Sequence, residues 1–130
     1  MDWTLLIDKI KASYEQGITT SEAEKLAGEF LHAQLLISSE LAKADLDSRM
    51  RKSGLKAIRS AVRTEEVKKH DKKPTEGALE DAVNLHELVQ SEQSAFDEAE
   101  VSRDSLERMY NIFREAHLHF RSISKGSFNG

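Results

Sequence analysis

The chain contains no cysteine, one proline and six glycines among 130 residues. Without thiols it can form no disulfide scaffold, thiolate zinc site or cysteine nucleophile. With so few turn residues, and with 32% of its side chains charged, it lacks the punctuation that a β-sandwich or a doubly wound sheet needs at each reversal. No apolar run approaches the roughly 18 residues of a membrane span. The start, MDWTLLIDKIK, shows neither a basic stretch leading into a continuous apolar segment nor a cleavage site. A cytoplasmic protein with no membrane partner is expected. Positive charge is not in excess either: 19 basic against 23 acidic side chains leave a net charge of −4. That excludes a uniformly basic surface but leaves room for a local basic patch.

What is present is helical periodicity. Trp3, Leu6, Ile7, Ile10 and Tyr14 recur at threes and fours, which predicts a first helix over about 2–16 with Asp2 as its cap. Gly17 supplies a left-handed stop. Two overlapping start signals follow, Thr19 three before Glu22 and Ser21 three before Glu24. From there no proline interrupts the sequence, and Gly28 and Gly54 are isolated, so a second helix is expected over about 21–69, roughly 70 Å long. Its seam is Ala23, Leu26, Phe30, Ala33, Ile37, Leu41 and Ala44. The seam fails over Asp47 to Gly54 and resumes at Leu55, Ile58 and Val62.

The turn is expected at residues 70–75. Pro74 disfavours helix before it, and Thr75 caps a third helix over about 76–122. On that helix Leu79, Val83, His86 and Val89 form one stripe, followed by Phe96, Ala99, Leu106, Tyr110, Phe113, His117 and Phe120. The pattern predicts an all-α protein: a short N-terminal helix plus a long antiparallel helical hairpin, one domain over 1–124 with a flexible tail at 125–130. Leu31, Leu35, Leu36, Leu85, Leu88 and Val101 flank the seams and have no place inside a two-helix hairpin. Each large apolar side chain left in water forfeits about 1.5–3 kcal/mol. A homo-oligomeric helical bundle is therefore expected, with Phe96, Leu106, Tyr110, Phe113 and Phe120 in its helix contacts.

Charge is strongly segregated. Residues 49–73 carry ten basic against three acidic side chains, +7, whereas residues 74–107 carry ten acidic against one basic, −9. Arg49, Lys52, Lys56, Arg59 and Arg63 follow one another at threes and fours, a continuous stripe on a helix, with Lys68, Lys69, Lys72 and Lys73 near the turn. Two readings stand. The stripe pairs with the acidic helix and serves register and solubility, or it is a track for phosphates that gains from counterion release. No aromatic residue interleaves with it, so any nucleic-acid binding would be insensitive to sequence.

Catalytic and metal chemistry find little support. His117 and His119, two apart on a helix, point about 200° apart and cannot chelate one ion. Asp97, Glu98, Glu100 and Asp104 lack an accompanying nucleophile or ligand pattern and read as an exposed helix face. No Gly-rich phosphate loop, helix-turn-helix or zinc-finger pattern occurs. No enzyme, metal or cofactor is expected.

In layout, residues 20–124 resemble phage recombination mediators of the UvsY type, small all-helical proteins with a long hairpin and a basic mid-chain segment. Leu55-Lys56-Ala57-Ile58-Arg59 resembles that family's Leu-Lys-Ala-Arg segment, with Lys56 matching directly and Arg59 after a shift of one residue. Pro74-Thr75-Glu76, followed by a helix ending at Arg121 and a short Gly-containing tail, is similar to the family's C-terminal helix, implicated there in oligomerisation. The resemblance implies single-stranded DNA binding, ring assembly, and help to a RecA-like recombinase in displacing a single-strand-binding protein in the host cytoplasm. The alternative is a non-catalytic helical adaptor that docks on another protein.

Overall fold

A computed structural model describes residues 3–126. Asp2, the expected cap of the first helix, and residues 127–130 of the expected flexible tail lie outside the described residues. The described chain is all helical: α1 Trp3–Gln16, α2 Thr20–Lys68, α3 Glu76–Leu85 and α4 Glu87–Ser124. None of these helices is long and apolar enough to cross a membrane. The chain divides into two compact units, one built from residues up to Glu40 and from Leu106 onward, the other from Leu41–Ser105.

In the first unit, Gly17 ends α1 with φ +77° while its N–H donates to the Ser13 carbonyl at 3.2 Å. Of the two start signals Thr19 is the one used: its Oγ1 accepts the Glu22 N–H at 3.1 Å, and α2 begins one residue earlier than expected. Ala23, Ala27, Phe30, Ala33 and Ile37 of α2 then form a buried stripe against Phe113, Ala116 and Phe120 of α4 and Leu6 of α1. The alanines let the helices approach closely and the phenylalanines fill the space between. Phe30 stacks on Phe120 at 5.6 Å and tilts against Phe113 at 5.7 Å, while Trp3 closes the other side of Phe113 at 5.5 Å.

The second unit is an antiparallel hairpin. Leu55 and Val62 of α2, Val83 of α3 and Val89 of α4 are its buried cluster, joined by Ile58 and Phe96. Leu79 is buried as well. Where the seam fails in sequence, Ser48 takes the buried position, one heptad before Leu55. The turn lies where Pro74 and Thr75 place it, and Thr75 Oγ1 accepts the Ala78 N–H at 3.1 Å.

The expected third helix over 76–122 is two helices, and this corrects the sequence reading. His86 is extended, with ψ 132°, while its own N–H still donates to the Val83 carbonyl. Its Nδ1 accepts the Leu88 N–H at 3.2 Å and so caps α4. Phase explains the break: Val89 stands six positions after Val83, so on a continuous helix they would lie about 120° apart. One extended residue brings both onto α2. α4 then runs unbroken through the polar stretch Gln90 to Ser94.

Candidate nucleic-acid interface

The basic stripe lies on α2 within the second unit, and its members have different surroundings. Arg49 pairs with Asp45 at 3.0 Å, one turn back on its own helix. Lys52 and Lys56 are exposed and, among the described residues, have no hydrogen-bond or ion-pair partner. Arg59 reaches across to α3, donating to Glu80 at 2.8 Å and to the Asn84 side-chain oxygen at 2.9 Å. Arg63 likewise donates to Glu76 at 2.5 Å. Near the turn, Lys69 pairs with Glu66 at 3.1 Å, Lys73 lies in the field of Glu76, and Lys68 and Lys72 are exposed with no such partner.

These contacts follow from hairpin register. Arg59 and Arg63 are one turn apart on α2, as are Glu80 and Glu76 on α3, so one antiparallel register brings both pairs together. The next position on this face of α3 is the amide Asn84, and the next after that would be Leu88, beyond the break. The acidic rungs therefore stop before they reach Lys56 and Lys52. The hydrogen bond from Arg63, and then its charge, hold the Glu76 carboxyl below the usual carboxylate range, and Glu76 raises the Arg63 guanidinium in return. Elsewhere in this unit, Arg103 is raised chiefly by its hydrogen bond to Asp104.

Glu76, Glu80 and Asn84 as individual counter-groups escaped the sequence reading. The signal was present, in the matching steps of four on either side of Pro74. Phe96 is the one aromatic residue of the second unit, and it packs into the hairpin core. Bases would find no stacking platform beside the stripe.

Of the residues expected in the helix contacts of an oligomer, Phe113 and Phe120 are buried within this chain, and Phe96, Leu106 and Tyr110 are partly buried. Phe113 and Phe120 have no exposed surface, because Phe30 and Trp3 fill the space against them. Tyr110 accepts a hydrogen bond from Gln34 at 3.2 Å, and Leu106 packs on the same core. Their burial needs no second chain, since α1 completes a core that two helices alone could not close. All six flanking residues do stay exposed, from Leu36 at 41% to Leu85 at 74%, and so do Leu46 and Met50 on α2. Leu5, Tyr14, Ile112 and Leu118 are exposed as well.

His117 and His119 are occupied in packing. His117 donates from Nδ1 to the Ala27 carbonyl at 2.8 Å, and His119 lies between the rings of Tyr14 and Phe120. Among the described residues no three His, Asp or Glu side chains converge on a metal position. The chain matches no protein-family model, no curated protein and no solved structure.

Proposed function

We propose that this chain is a non-catalytic, self-associating helical protein that binds single-stranded nucleic acid along α2. In this reading it acts as a recombination mediator of the UvsY type in the cytoplasm, helping a RecA-like recombinase onto strands held by a single-strand-binding protein. The observation that carries the reading is the exposure of Lys52 and Lys56 without partners on a chain of net charge −4. They sit in a segment of +7, with Lys68 and Lys72 also open at the turn. Lysines held at helical spacing and left unneutralised are positioned to replace counterions on a phosphate backbone. The exposed flanking leucines support self-association, which would repeat the lysines around an assembly.

The deciding experiment is a salt titration of binding to labelled oligo(dT), run beside a light-scattering measurement of molar mass. Lys52→Ala with Lys56→Ala should weaken binding on all sequences equally. It should also flatten the slope of log K against log salt by about 1.4 per chain, at about 0.7 per phosphate no longer neutralised. A second reading, a helical adaptor that docks on another protein, draws on the neutralisation of Arg59 and Arg63 by α3. Wild-type protein that fails to bind oligo(dT) at low salt would make the adaptor the better account.

A further inference from the structure

We propose that the acidic face of α3 competes with nucleic-acid phosphates for Arg59 and Arg63, withholding both arginines from the binding surface until a strand displaces Glu76 and Glu80. The inference rests on the binding reading above and concerns the regulation of that same surface.

α3 is a discrete element of ten residues, bounded by the turn and by extended His86. Leu79 and Val83 fasten one side of it to α2. Its adjoining face presents carboxylate, carboxylate and amide at Glu76, Glu80 and Asn84, spaced by four residues or about 6 Å along the axis. Arg59 and Arg63 have the same spacing, so α3 offers them a short row of anionic oxygens in register. A phosphate strand would offer the same chemistry.

The contacts are suited to exchange. The side chains of Glu76 and Glu80 are 70% and 57% exposed. Ion pairs this open to water are weak and screened by salt. A guanidinium can trade such a carboxylate for a phosphate that it grips with two parallel hydrogen bonds. The exchange needs only side-chain movement, because the buried leucine and valine keep α3 in place. Lys52 and Lys56, beyond the acidic rungs, would take the first phosphates, and the arginines would join as the strand extends toward the turn.

Glu76→Gln with Glu80→Gln removes the competing charge while keeping side-chain size and the Thr75 cap. Helix content by circular dichroism should be unchanged. Binding to labelled oligo(dT) should tighten roughly three- to tenfold at 0.1 M salt, because the strand no longer has to displace two carboxylates. Asp81→Asn with Glu98→Gln makes the same change in net charge on exposed residues away from the arginines, and should gain much less. Arg59→Ala with Arg63→Ala, added to the Glu76→Gln, Glu80→Gln protein, should erase its gain. The inference is overturned if that protein binds as wild type does, if the control gains as much, or if the gain survives loss of the arginines. Absence of oligo(dT) binding by both wild type and variant at low salt refutes the binding reading itself, and the competition with it.

Discussion

Replacing Phe113 by alanine separates a core that the chain completes alone from a seam that needs a second copy. The ring has no exposed surface and lies between Trp3 and Phe30, at centroid distances of 5.5 and 5.7 Å. Truncating a buried phenylalanine removes its transfer free energy and leaves a cavity, together costing about 3–5 kcal/mol. A domain of this length has about 7–20 kcal/mol of stability in all, so the first unit should be badly weakened. At about 4 °C per kcal/mol, its melting temperature should fall by about 12–20 °C. Trp3 is the only tryptophan in the chain, and its fluorescence reports on the altered contact directly. Urea unfolding followed by that fluorescence, at two protein concentrations tenfold apart, is the assay. The expected result is a large loss that is the same at both concentrations. A loss under about 1 kcal/mol, or one that grows on dilution, would mean that Phe113 owes its burial to another chain.

His86→Ala should cost about 0.5–2 kcal/mol, the usual range for a lost helix cap, because the Leu88 N–H loses its acceptor. A urea midpoint equal to that of wild type would show that the break depends on the phase of the valines alone. For pH, Glu76 has a lowered pKa in the folded chain, so its contribution is present above the ordinary carboxylate range and is lost as pH falls through the lowered value. Carboxyl NMR titration should place Glu76 below its value in an unfolded peptide, and Arg63→Ala should raise it toward that value.

Local signals in the sequence decided the ends of the elements. Gly17, Thr19 and Thr75 act through their own backbone conformation or a hydrogen bond within three residues, so their roles follow from neighbours alone. The exposure of Leu35, Leu85 and Val101 was also legible, because a helix has only so much seam. The break at His86 was legible only as a slip of phase between Val83 and Val89, easily missed because neither glycine nor proline stands between them. The covering of Phe113 and Phe120 depends on Phe30 and Trp3, some 80 and 110 residues away, and periodicity along one helix carries no information about which helix answers it. The same holds for Arg59 and Arg63, whose surroundings are decided across the turn.

The extended residue at position 86 also determines where the chain can change length. An extra residue within a helix turns everything beyond it by about 100° around the axis. Inserted between Leu55 and Val62, it would carry Val62 off the hairpin core. Beside His86 the backbone has already left the helix, and an added residue can be taken up in the link while α3 and α4 keep their own phases. Insertions and deletions should therefore be tolerated at this joint, as in the turn before Thr75, whereas the 49 unbroken residues of α2 should tolerate almost none.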